Sequence, residues 1–313
     1  MNHVDAAGRH LVIESDGARA EIGTVAAVLR SLTVGGVAIT ETTDGTGAPP
    51  FGNGIVLAPW PNRVRDGVWS LDGEAQQLDL TERDRGNALH GLLRYADYEV
   101  REQTSDAVTL GALIAPQHGW PFLLDTWVRY EARGDGLTVT HGVTNLGDRR
   151  APYAVGTHPF LRVGDHPVDD LVLTIAAATY FDVDDRLNPI AERPVDGTRF
   201  DARGGLRVGD LDYDTAFGGV THRDGASAWL SAPDGSTVEL VQDVDWGYLQ
   251  VFTTPKFPRK GVPGLAVAVE PMTAPPDALN SGQGLIWLEP GESSEGSWGL
   301  RYTPGAVGSV GTV

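Results

Sequence analysis

The chain has 313 residues, 41% hydrophobic and 21% charged, with forty glycines, twenty prolines and no cysteine. A formal net charge of -18 argues against nonspecific attraction to nucleic acid or anionic lipid. The absence of cysteine excludes disulfides, thiol nucleophiles and cysteine-ligated metal centres.

Residues 1–10 carry no apolar stretch of the kind a secretory signal needs, and no later run is long enough to span a bilayer, so a cytoplasmic protein is expected, with neither membrane nor nucleic acid as partner. Along the chain, short apolar runs alternate with Gly and Pro, and few stretches keep a helical period. Asp-Gly pairs at 16–17, 72–73, 135–136, 224–225 and 234–235 have the chemistry of tight hairpins. Strands are predicted over 136–143, 171–175, 238–241, 248–253 and 265–270, each bounded by turn-forming residues. With no linker, low-complexity tract or fixed-period repeat, residues 1–313 read as a single all-β domain. The expected architecture is a large antiparallel β-sandwich with the active residues on the concave face of one curved sheet.

Candidate chemistry follows in chain order. Arg63 lies in Ala58-Pro59-Trp60-Pro61-Asn62-Arg63-Val64, where two prolines fix the direction of a loop and a guanidinium can fork onto oxygen acceptors. A surface salt bridge is the competing reading. His90 precedes Gly91, which leaves its imidazole accessible, although a lone histidine beside glycine is more often a hydrogen-bonded turn residue. In Ala154-Val155-Gly156-Thr157-His158-Pro159 and Ala266-Val267-Ala268-Val269-Glu270-Pro271, strand alternation puts two small residues on one face and then a proton-transfer group. Each group is followed by proline, which suits the rim of a sheet. A histidine and a carboxylate over cleared floors have the look of an acid/base pair facing a pocket. Burial would push Glu270 toward the pKa of a general base, and the competing readings are a strand-end carboxylate and a core histidine. No His-Glu-x-x-His spacing and no phosphate-cradling glycine loop is found, so neither metal nor cofactor is expected.

An ordered set of motifs then points to a family. It comprises Pro61-Asn62-Arg63, Leu89-His90-Gly91, Gly119-Trp120-Pro121-Phe122, Val143-Thr144-Asn145 and Gly156-Thr157-His158-Pro159-Phe160, followed by Asp214-Thr215-Ala216-Phe217, Val269-Glu270-Pro271, Asp277-Ala278-Leu279-Asn280 and Leu288-Glu289-Pro290-Gly291-Glu292. Over nearly its whole length the chain resembles the aldose 1-epimerases, the galactose mutarotase-like proteins. The resemblance implies a cofactor-free isomerase of a monosaccharide such as galactose or glucose, with His158 as general acid, Glu270 as general base, and Arg63, His90 and Asp214 on the substrate. The family commonly has Asp-His before the aromatic, whereas Thr215 follows Asp214 here, so Asp212 competes for the inward position. Trp60, Trp120 and Trp246 are candidates to pack on a sugar face. Two alternatives stay open: a hexose-6-phosphate 1-epimerase using Arg65, Arg83, Arg85 and Arg94, and a noncatalytic sugar-binding module. Oligomeric state is left open.

Overall fold

The computed structural model describes residues 6–42, 47–259 and 261–305. It is built from two large antiparallel sheets, in agreement with the all-β sandwich expected from the sequence. One has nine strands, and its inner face is written in alternation: along Leu124–Arg133, residues Leu124, Thr126, Val128, Tyr130 and Ala132 are buried while their neighbours are partly exposed. The other has eight strands, ordered Pro189–Pro194, Thr179–Val183, Asp214–Gly218, Tyr248–Arg259, Val262–Met272, Gly156–Thr157 and Val56–Leu57, with Phe160–Leu161 pairing onto Val262–Met272. A four-stranded sheet from His10–Ser15 to Val37–Ala38 packs against the nine-stranded one.

Four of the five predicted strands lie inside observed strands that run longer, at Gly136–Asn145, Thr237–Gln242, Tyr248–Arg259 and Val262–Met272, and the fifth is one residue shorter than predicted, Val172–Ile175, leaving Leu171 outside. Three of the five Asp-Gly pairs, at 16–17, 72–73 and 224–225, have both residues at positive φ, as type I′ turns demand. At Asp135-Gly136 the turn sits one residue earlier, because Gly136 already pairs with Arg133.

The strand Val262–Met272 is buried on both faces from Ala266 onward. Val267 and Val269 point into the inter-sheet core, whereas Ala266 and Ala268 pack with Phe160 and Phe257 on the other side. This corrects two sequence expectations. Pro271 does not mark a rim, since it pairs in register with Leu249 and the strand continues to Met272. The alanines do not clear a floor for a ligand either; they make room for two phenylalanine rings. Gly156 is small for a related reason: a β-carbon there would lie 3.0 Å from Met272, Pro271 and Pro61. Ala154 packs with Ala274 and Ala278, away from the histidine.

Candidate active site

Glu270 is placed by the pairing of the two longest strands of the eight-stranded sheet, which sets it opposite Gln250. His158 follows the short strand Gly156–Thr157, and the 52–55 loop holds its backbone: its N–H donates to Ile55 and its carbonyl accepts from Gly54. The imidazole stacks on Phe160 with ring centroids 5.3 Å apart. These constraints bring His158 Nε2 to 3.3 Å from Glu270 Oε1, with both side chains almost wholly buried. The second carboxylate oxygen, Oε2, and Gln250 Oε1 are buried with no hydrogen-bond partner among the described residues.

Arg63 and His90 come from a two-stranded ribbon in which Arg63–Val64 pairs with Ala88–Leu89. Asn62, at positive φ, accepts from the His90 N–H, while its own N–H lies 3.3 Å from His90 Nδ1. Gly91 is required for this geometry: a β-carbon there would lie 2.1 Å from the Ala58 carbonyl oxygen, at φ +69. The turn back to Asp277 locks the ribbon, because the Asp277 N–H donates to the Arg63 carbonyl and its carboxylate accepts from the Arg65 N–H.

Arg63 is buried, so the surface salt bridge weighed from sequence is not what is found. Its guanidinium donates through Nε and Nη2 to both oxygens of Glu82, at 2.9 and 3.0 Å, and through Nη2 to Asp214 Oδ2 at 3.4 Å. Asp214 Oδ1 in turn accepts from Gln250 at 2.6 Å. Asp212 is exposed outside the strand Asp214–Gly218, which resolves the competition between the two aspartates in favour of Asp214.

These residues line one cavity of about 500 Å³ that holds Arg63, His90, His158, Asp214 and Glu270 together. Sequence reasoning missed Glu82, Gln250, Phe51 and Phe252, which share its wall. Glu82 sits in a run of charges that reads as solvated surface, and Gln250 on an otherwise ordinary strand; no local pattern marks either. Trp60 and Trp120 are core residues with ring centroids 5.8 Å apart. Trp246 lines a separate cavity of about 390 Å³ with His141 and Tyr153. None of the three lines the wall around Glu270.

The electrostatics follow from burial. Desolvation, with help from the nearby Asp214 charge, holds Glu270 well above the usual carboxylate range, opposed by Arg63. Desolvation lowers His158 to about 4. His90 is also held well below its ordinary value, first by burial and then by the charges of His158, Arg63 and Arg94. Burial alone would raise Glu82, but the fork of Arg63 overrides it and keeps Glu82 below its ordinary value. The arrangement therefore sets a buried imidazole 3.3 Å from a buried carboxyl group, beside a fixed network of charged hydrogen-bonding groups.

The family model of the aldose 1-epimerases matches residues 9–301. The chain belongs to the aldose 1-epimerase family. It is 32% identical over 294 residues to an Escherichia coli (strain K12) protein, YihR, described as uncharacterized, covering 93% of this chain and 92% of that one. It is 29% identical to human galactose mutarotase over 177 residues, which are 54% of this chain and 50% of the mutarotase. Among solved structures, the GalM/aldose epimerase homologue from C. elegans superposes with a TM-score of 0.82 at 19% identity, covering 94% of this chain and 98% of that chain. Galactose 1-epimerase from Lactobacillus acidophilus gives 0.77 at 20% identity, covering 95% and 94%. The last two establish the shared fold. Among the described residues, no helix is long and apolar enough to cross a membrane.

Proposed function

We propose that this epimerase-family protein interconverts the α and β anomers of an aldohexopyranose by acid/base ring opening and reclosure. The observation that carries the reading is the approach of His158 Nε2 to 3.3 Å from Glu270 Oε1 in the wall of a sugar-sized cavity. A pyranose is a hemiacetal. Opening it requires removal of the anomeric hydroxyl proton and delivery of a proton to the ring oxygen. Glu270 takes the first and His158 supplies the second as the bond from C1 to the ring oxygen breaks. The aldehyde turns about its C1–C2 bond, and closure from the other face returns both protons.

The pair shares one mobile proton. Burial by itself places it on Glu270, raising the carboxyl and lowering the imidazole. The productive tautomer, with the proton on His158, has the same proton count, so the active form needs a transfer across 3.3 Å and no exchange with solvent. Arg63 favours the ionised carboxylate, and sugar hydroxyls donating to the unpartnered Oε2 favour it further. Arg63, His90 and Asp214 hold the remaining sugar oxygens, with Gln250 orienting Asp214. No step requires a metal or cofactor.

The test is polarimetry of freshly dissolved α-D-galactose and α-D-glucose with wild-type protein, Glu270→Gln and His158→Asn. Wild type accelerates the approach to equilibrium, and each variant loses about 10²-fold or more of that rate. Acceleration that survives in Glu270→Gln overturns the role of the pair. Binding of sugar without any acceleration by wild type identifies a noncatalytic module.

A further inference from the structure

Resting on the mutarotase reading above, we propose that the sugar carries an oxyanion on C6, a phosphate, sulfonate or carboxylate, and that Arg94 receives it. The cavity wall holds three guanidiniums, those of Arg63, Arg85 and Arg94, against two carboxylates, Glu82 and Asp214, outside the proton-sharing pair. In the form the acid/base reading requires, with one proton held between Glu270 and His158, that pair is neutral and the wall bears one excess positive charge in a chain whose net charge is -18. That excess is localised. Arg63 is neutralised by Glu82 and Asp214, and Arg85 Nη1 lies 3.2 Å from Glu82 Oε1.

Arg94 meets no carboxylate among the described residues. Its Nη1 donates to the Leu89 carbonyl at 3.3 Å and its Nη2 to the Tyr95 hydroxyl at 2.7 Å, both neutral acceptors. Its Nε is buried and has no partner. A guanidinium partly withdrawn from water, with a donor unsatisfied and no counter-charge, is a cost to the folded chain that an incoming oxyanion removes. Guanidinium geometry suits such groups because its planar fork matches two oxygens at once.

The position along the sugar follows from the reaction. His158 serves the ring oxygen, which is bonded to C5, and C5 carries C6. The His90 ring lies 5.6 Å from the His158 ring, and Arg94, hydrogen-bonded to the carbonyl of Leu89 next to His90, lines the same wall. The exocyclic C6 group therefore leaves the ring on the His158 side, toward His90 and Arg94. Tyr95, 68% exposed, holds Arg94 Nη2 at the mouth of the site, so a large tetrahedral anion has room there.

The experiment compares anomer exchange, followed by NMR, for glucose and for glucose analogues bearing phosphate, sulfonate or carboxylate at C6. With wild type, at least one anion exceeds glucose in kcat/KM by about tenfold or more, and the advantage shrinks as salt is raised. Arg94→Gln lowers the ratio of anionic to neutral sugar by about tenfold, and Arg94→Lys restores part of it. The proposal is overturned if all three anions fall at or below glucose, or if Arg94→Gln leaves the ratio unmoved. If Arg94→Gln does not fold, the salt dependence of wild type and the Arg94→Lys ratio decide in the same way. If no sugar exchanges anomers, the mutarotase reading fails separately. Calorimetric titration then decides the anion: tighter binding of a C6-anionic sugar than of glucose upholds Arg94, and equal binding overturns it.

Discussion

Glu82→Gln tests whether the Arg63 fork is a structural prerequisite for the site. In the wild type, both carboxylate oxygens accept from Arg63 at 2.9 and 3.0 Å, and the side chains are only 9% and 12% exposed. Removing one member of a buried charge pair costs about 3–5 kcal/mol when the other is left uncompensated. Here Asp214 still faces Arg63 at 3.4 Å and the introduced amide can accept one of the two bonds, so the lower end, about 3 kcal/mol, is expected. In calorimetry that is a fall in Tm on the order of 5 °C for a chain of this size. Function changes too. Without Glu82, Arg63 is drawn to Asp214, loosening the hydrogen bond that Gln250 makes to it, and KM rises more than kcat falls. The pH dependence has a definite sign. Glu82 is lowered in the folded state, so its stabilisation is present above its ordinary value of 4.5 and is lost as pH falls through the lower folded value. The difference in Tm between wild type and variant therefore shrinks on acidification below about pH 4.5. A variant within about 0.5 kcal/mol of wild type, with unchanged KM, would refute the argument that this fork builds the site.

Three further outcomes are expected. Glu270 is raised in the folded state, so wild type loses stability as pH rises from 4.5 toward the folded value, whereas Glu270→Gln does not; urea titrations across pH should show the variant gaining on wild type as pH increases. His158 and His90 are both lowered and contribute opposite slopes below pH 6.5, and because His158 loses its Glu270 neighbour in the variant, the comparison is read above that pH. Gly91→Ala drives a methyl group into the Ala58 carbonyl at an αL position, and calorimetry should show at least about 2 kcal/mol lost along with a rise in KM as His90 is displaced. Trp60→Phe leaves a hole in the core beside Trp120, so denaturation should show a loss of about 1–3 kcal/mol while kcat/KM stays within about twofold; a selective rise in KM would return Trp60 to the sugar site.

How much of this was legible in the sequence depended on whether the cause was local. The strands were legible because their signals, alternation and Asp-Gly turns with both residues at positive φ, act within a few residues. The candidates Arg63, His90, His158, Asp214 and Glu270 were legible because each stands in a motif of its own, and one cavity contains all five. The motifs nevertheless did not separate chemistry from construction. Asn145 is fully buried and donates to the carbonyls of Arg149 and Leu288, while the 289–292 turn closes back on its backbone; that pair of motifs ties strand ends together and touches no site residue. Asp277 serves as a backbone latch on Arg63 and Arg65. Ala266 and Ala268 looked like a cleared floor and proved to be the seat of Phe160 and Phe257. What stayed hidden was pairwise and distant: Glu82 acquires its role only when Arg63 folds onto it, and Gln250 only when strand register sets it opposite Glu270 and beside Asp214. Arg94 makes the same point for charge. Within its own stretch of sequence it is one arginine among several, and its meaning appears only when the carboxylates that neutralise Arg63 and Arg85 are found to leave it out.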